Sequence, residues 1–227
     1  MIIGPINEER SKLSEFTKKL MIEMNDYVIK DLKRHYPALN KQENHLRWEV
    51  KTLFKKVFIP VQIKPEITLV AEIYDQSEIL FTGNFDEKSN DLVGVAVMFQ
   101  QELFRKFFDN EDVDRWARDF VSRLKNKEFD KYLIFKKRLV KDLSEYTSNP
   151  PVHAKAAMKL AEAGLKIPRE IQYVMTQKGP APIELMTEDI DYNFYLERQI
   201  KPLAQPVYDF LGKSFEDIWA GDQMQLF

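Results

Sequence analysis

The hydrophobic repeat of this chain changes period twice, and that alternation limits its fold more than any other feature. From Leu13 onward the apolar residues Leu13, Phe16, Leu20, Met24, Tyr27 and Leu32 recur three to five apart, close to the spacing of one helix face. Asn7 followed by Glu8 and Glu9 supplies an N-cap and acids for the first turn, and Pro37 puts the helix end near His35. From His45 to Thr82 the texture turns β-branched and aromatic, in the runs LRWEV, LFKKVFIPVQI, EITLVAEIY and EILFT. Pro60, Pro65 and the polar Asp75-Gln76-Ser77 separate them. After Gly83 the helical spacing returns. A helix, a block of short strands and then more helices describe an α+β protein, with the first helix lying across a small antiparallel sheet and a boundary near residue 84.

Beyond that boundary the spacing predicts helices over Leu92 to Phe108 and Glu111 to about Lys125, the latter with Val113, Trp116, Ala117, Phe120 and Leu124 as its apolar stripe. Tyr132 to Leu139 reads as a strand or extended segment, followed by the loop LSEYTSN. Asn149 is placed to cap a helix opening on Pro150 and Pro151, with Gly164 at its end. Ile171 to Thr176 reads as a short strand. A last long helix starts near Tyr192 and should bend or break at Pro202 and Pro206. Ser214, with Asp217 three residues on, opens a final short helix.

With 227 residues, 44% of them hydrophobic, the chain can bury one large core or two unequal ones. It has no cysteine, and His35, His45 and His153 lie far apart in sequence, which argues against disulfides, thiolate chemistry and a zinc site. The start MIIGPINEER lacks a basic segment leading into an apolar run, and no stretch approaches a membrane span, so the expectation is a cytoplasmic protein with no membrane partner.

The formal net charge of -2 conceals a lopsided distribution. Val121 to Lys141 holds eight basic residues against two acidic, a local +6, whereas Pro182 to Phe227 holds three basic against nine acidic, a local -6. The basic strip fits either a face that neutralises phosphates or an ordinary solvated surface.

Two Asp-x-Asp pairs, Asp112/Asp114 and Asp189/Asp191, invite a two-metal reading, because phosphoryl transfer uses clustered carboxylates to hold magnesium. Each pair sits at the start of an expected helix, where acids complement the macrodipole, and neither is on a strand or tight turn. No phosphate-cradling glycine loop and no Ser/His/Asp grouping stands out.

The stretch LIFKKRLVKDLSEYTSNPPVHAKAA, from Leu133 to Ala157, resembles the thumb entry of family B DNA polymerases, particularly the bacterial DNA polymerase II type. Lys137, Leu139, Ser144, Glu145, Tyr146, Asn149, Pro150, Pro151, His153 and Ala156 match that pattern as they stand. IQYVMTQKGPAPIE (Ile171 to Glu184) is similar to the family's thumb strand and its Gly-Pro turn, and DYNFYLERQIKPLAQPV (Asp191 to Val207) to its Asp-Tyr-x-x-Tyr-x-x-x-Gln-Leu-x-Pro helix. The likeness covers roughly residues 95 to 227. Upstream, LRWEVKTLFKKVFIP resembles the palm strand that follows the catalytic Asp-Thr-Asp turn, a turn that would lie before Met1, and Phe81-Thr82-Gly83 sits where the family has Phe-Lys-Gly. The family's basic Lys-Lys-Arg-Tyr-Ala-Gly strand would fall near Ile67 to Glu72, where this chain reads ITLVAE.

The resemblance implies a partial palm at 1–83, a mainly helical thumb at 84–222 and a clamp-binding tail at 223–227. It implies DNA-backbone contacts from Lys136, Lys137, Arg138, Lys141, Tyr146, His153 and Lys155, which would hold any sequence alike. The end Gln223-Met224-Gln225-Leu226-Phe227 is similar to the pentapeptide by which bacterial polymerases dock on the sliding clamp, with Gln223, Met224, Leu226 and Phe227 as contacts. Taken without the resemblance, the same residues fit a frayed end or one tucked into the protein's own surface. The implied partners are a primer-template duplex, a catalytic polymerase chain and a bacterial-type sliding clamp. No cofactor is expected in this chain and no catalytic residue either, with magnesium held in the partner chain's active site. Two functions follow: the palm and thumb subunit of a split DNA polymerase, or a non-catalytic DNA-binding or clamp-adaptor protein derived from such a thumb.

Overall fold

A computed structural model describes residues 10–36, 52–60, 69–73, 78–83, 92–146, 149–187 and 189–220. The expected Asn7 cap, the LRWEV strand and the clamp-binding tail lie outside the described residues. The chain divides into two compact units, Met1–Val57 with Ala71–Leu80, and Phe58–Val70 with Phe81–Phe227. The architecture is α+β, as the alternating periods imply.

The first unit contains α1 (Arg10–His35) and most of a sheet in the order β1 (Phe54–Phe58), β2 (Val70–Ile73), β3 (Ile79–Phe81). Lys33, Arg34 and His35 fill the last turn of α1, where cations favour the carboxyl end of the dipole. The apolar stripe expected on α1 is only partly covered. Met21, Asn25, Val28 and Leu32 are half-buried, while Phe16 and Tyr27 are 54% and 70% exposed and Leu20 and Met24 are exposed as well. The helix is apolar over a wider arc than its surroundings cover, so the covered face lies one residue round from the expected one.

The second unit has a helical body and a small sheet with its own helix. The body is α2 (Gly94–Phe108), α3 (Val113–Lys125), α5 (Tyr192–Tyr195), α6 (Lys201–Phe210) and α7 (Glu216–Ala220). On α3 the expected stripe points inward, with Val113, Ala117, Phe120 and Leu124 buried and Trp116 half-buried. Phe99 of α2 is the hub of this core: fully buried, it stacks on Trp116 with ring centroids 5.1 Å apart and meets Phe120 and Phe215 edge-on. A buried amide carries the start of α2: the Val93 N–H donates to Gln199 Oε1 at 3.0 Å. The break expected near Pro202 appears as a wide π turn over Leu196–Ile200 between α5 and α6. Pro202 has no N–H to return to the preceding turn, so the backbone widens just ahead of it.

The second sheet runs in the order β4 (Phe135–Arg138), β5 (Glu170–Thr176), β6 (Gly179–Pro182), antiparallel throughout. Helix α4 (Val152–Glu162) packs on it, with Ala156, Ala157 and Leu160 in one cluster with Ile171 and Tyr173. The two alanines let the helix come close to the strands. Its end is the expected one: Gly164 takes φ +71°, its N–H donates to Ala161 O at 3.0 Å, and the Leu165 N–H donates to Leu160 O at 2.9 Å, a Schellman closure. Its start is not. Asn149 makes no cap, because the helix begins only at Val152, with Pro151 extended at ψ 162° in the capping position. Pro150 precedes another proline and is thereby barred from helical geometry, so the helix cannot begin as early as the sequence suggests.

Candidate nucleic-acid interface

Strand β4 lies at an edge of its sheet, and its two-residue period divides the basic run between two faces. Phe135 and Leu139 turn toward α4 and join the cluster there, so Lys137 between them shares that face and is half-buried. Lys136 and Arg138 point the other way and are exposed, opposite Gln172 and Glu170. Dense in sequence, the run is thus not one surface in space.

The anchoring of β4 is aromatic. Phe135 stacks on Tyr173 with centroids 5.2 Å apart and on Tyr195 at 5.8 Å. The Tyr195 hydroxyl donates to Leu133 O at 2.8 Å and accepts from the Met175 N–H at 2.9 Å, joining the chain just before β4 to strand β5. Burial pushes this hydroxyl well above the ordinary tyrosine range, so it remains a neutral donor. The neighbouring Tyr192 hydroxyl, also raised by burial, donates to Asp130 Oδ1 at 2.7 Å.

After β4 the loop folds back on itself. The Asp142 N–H donates to Glu145 Oε1 at 3.1 Å, which occupies that carboxylate inside the loop. The Tyr146 hydroxyl accepts from the Lys141 N–H at 3.4 Å, and its ring meets His153 edge-on at 6.3 Å between centroids. Lys141, Tyr146 and His153 therefore come together at the start of α4. Lys155, exposed and two residues further along the helix, points away from His153. The β4–β5 pairing also brings in Arg169, which lies outside the basic run; only the strand register reveals its place, and a single sequence does not give register.

Among the described residues no carboxylate lies within ion-pair distance of Lys136, Arg138, Lys141, Lys155 or Arg169. Several cations of the helical body are arranged otherwise. Lys106 meets Glu111 at 2.6 Å, Arg105 meets Glu102 at 2.6 Å and Arg123 meets Glu128 at 2.8 Å.

The aspartate pairs hold helices. Asp112 caps α3 by accepting from the Arg115 N–H at 3.1 Å, and Asp191 caps α5 by accepting from the Phe194 N–H at 3.1 Å. Asp114 pairs with Lys213, and Asp189 lies 3.6 Å from Lys127. Among the described residues no three His, Cys, Asp or Glu side chains gather as a metal site would need, and no helix is long and apolar enough to cross a membrane. Of the ITLVAE segment, Val70 and Ala71 are fully buried, and Glu72 is bound by Lys55 at 2.8 Å with Lys56 at 3.6 Å.

The chain is similar to DNA polymerase II of Escherichia coli (strain K12), 34% identical over 161 residues that make up 67% of this chain and 20% of the relative. It is also similar to DNA polymerase 1 of Saccharolobus solfataricus, 28% identical over 208 residues, 81% of this chain and 23% of that one. Its fold is similar to that of the family B DNA polymerase from the hyperthermophilic archaeon Pyrobaculum calidifontis, with a TM-score of 0.55 and 22% identity over 80% of this chain and 24% of that chain. No family model matches it. The chain thus spans about a fifth to a quarter of the length of these relatives.

Proposed function

This chain is a homologue of part of the family B DNA polymerases, its coverage fitting a C-terminal part of them, and from that premise we propose that it grips primer-template duplex as the palm and thumb subunit of a split polymerase. The observation that carries the reading is the set of unpaired cations on β4, the following loop and α4, within the segment that resembles the thumb entry. Lysine and arginine on phosphates displace condensed counterions whatever the base sequence, which suits an enzyme that accepts every template.

Catalytic carboxylates and the magnesium they hold would come from a partner chain. Asp112 and Asp191 do not fit that role, since each is engaged in capping its helix. The tail Gln223-Met224-Gln225-Leu226-Phe227 would dock the assembly on a bacterial-type sliding clamp, with Leu226 and Phe227 filling an apolar pocket and Gln223 making the polar contact. Such anchors commonly carry on the order of 2 kcal/mol or more each.

A second reading, a non-catalytic DNA-binding or clamp-adaptor protein, is favoured by one observation. Where the family has a basic strand, Val70 and Ala71 are buried and Glu72 is neutralised by two lysines, so this strand is built for packing. Pull-down from the native source followed by primer extension separates the two. The split-polymerase reading expects the chain alone to extend no primer and the recovered complex to extend it, whereas a complex without extension activity supports the adaptor. In calorimetry with a bacterial clamp, deleting Leu226 and Phe227 should abolish binding, and unchanged affinity would remove the tail from the account.

A further inference from the structure

We infer that Arg169 is a further phosphate-contacting residue of this surface, holding the duplex together with Lys141; the inference rests on the DNA-binding reading above. Arg169 lies beyond α4, outside the basic run and outside the motif that resembles the thumb entry. The fold carries it there in two steps. The Schellman closure at Gly164 ends α4 and turns the chain back toward the sheet, and β5 then pairs with β4 in the register Arg138↔Glu170. The Leu139 N–H donates to Arg169 O at 3.0 Å, which extends the ladder by one pair and sets Arg169 directly opposite Leu139.

Residues directly opposite on antiparallel strands have Cβ atoms about 5 Å apart and diagonal neighbours about 7–8 Å. Lys137 precedes Leu139 by two residues on the same strand face, so Arg169 is its diagonal neighbour across the pair, and Lys141 follows Leu139 by two residues, just past the end of β4. Leu139 packs into the α4 cluster and fixes the backbone from which Arg169 extends. Arg169 therefore lies at the end of the strand pair from which the chain runs on to Lys141 and the polar group of Tyr146 and His153. Arg169 and Lys141 are both exposed, and no described carboxylate lies within ion-pair distance of either. The anion that suits the arrangement is a phosphate of the duplex backbone, which the planar guanidinium fork can bind through two parallel hydrogen bonds while Lys141 adds point charge.

The test uses the full chain and a labelled DNA duplex, with affinity followed by fluorescence anisotropy over a series of salt concentrations. Wild type is compared with R169Q, R169K, the triple alanine variant of Lys136, Lys137 and Arg138, and R115Q, which removes an exposed arginine of the helical body. R169Q should weaken binding several-fold and lower the salt slope by about 1, with an unchanged melting temperature. R169K should restore the slope but only part of the affinity, because it keeps the charge and loses the fork. If R169Q binds like wild type while the triple variant weakens, Arg169 has no part and the strip stands without it. A fall in R115Q as large as in R169Q overturns the inference too, since general charge would then be responsible. Absence of any wild-type duplex binding overturns both this inference and the function on which it rests.

Discussion

The helical body and the β4–α4–β5 part of the second unit use the same basic residues in opposite ways. In the body, several cations are absorbed by the protein's own acids, Arg115 and Lys125 of α3 excepted: Arg105 and Lys106 lie between Glu102 and Glu111, Arg123 meets Glu128, and Lys213 meets Asp114. The hydrogen bond from Arg105 holds the Glu102 carboxyl below the usual carboxylate range. Around β4, Lys136, Arg138, Lys141, Lys155 and Arg169 form no ion pair with a described carboxylate, although Glu170 faces Arg138 across the strand pair. One region spends its charges on local pairing worth little to stability, and the other leaves a positive field for an external anion. Total charge conceals this division, and position in the fold reveals it.

The division implies that stability and DNA binding fail separately. The largest effect on stability should come from Phe99→Ala, which empties a fully buried site packed by three rings and should cost about 3–5 kcal/mol in urea denaturation. Next is Tyr195→Phe, which leaves Leu133 O and the Met175 N–H without their hydroxyl partner and should cost about 1–3 kcal/mol. That variant also has a pH signature. Burial raises the folded Tyr195 above its ordinary value of 10.0, so the unfolded chain loses its proton first. The stability contributed by neutral Tyr195 is complete below pH about 10 and is lost as pH rises beyond it. Melting curves of Tyr195→Phe should accordingly fall less steeply above that pH than those of wild type.

The triple alanine variant of Lys136, Lys137 and Arg138 should reverse the pattern, with duplex affinity falling alike on unrelated sequences, the salt slope shrinking by about 1 for each lost contact, and melting nearly unmoved. Smallest of all should be Lys213→Ala, which removes an exposed ion pair of the body. It should change stability by no more than about 1 kcal/mol and leave duplex affinity untouched. A Lys213→Ala variant that lost DNA binding would erase the distinction between the two regions.

What was legible in the sequence is what local physics decides. The inward stripe of α3, the stop at Gly164 and the break ahead of Pro202 all follow from the residue types at those positions. The place of the aspartate pairs at helix starts was equally plain, since acids there complement the dipole, and the structure adds that Asp112 and Asp191 cap their helices. Errors arose where one local rule competed with another. Asn149 is a good cap residue, but the Pro150-Pro151 pair forbids the geometry that would use it. On α1 the apolar residues spread over too wide an arc for periodicity to choose the covered face. What the sequence could not show depends on pairing: strand period sends Lys137 to one face and Lys136 and Arg138 to the other, and register alone puts Arg169 on the side of Lys137.

The central claim, that the unpaired cations around β4 bind duplex DNA through its backbone, is tested most directly by measuring the affinity of the unmodified chain for two duplexes of unrelated sequence across a salt series. The two duplexes should bind with equal affinity at every salt concentration, with log K falling linearly against log salt at a slope of about -0.9 for each phosphate neutralised. A chain that binds neither duplex at low salt, or that strongly prefers one sequence over the other, would contradict it.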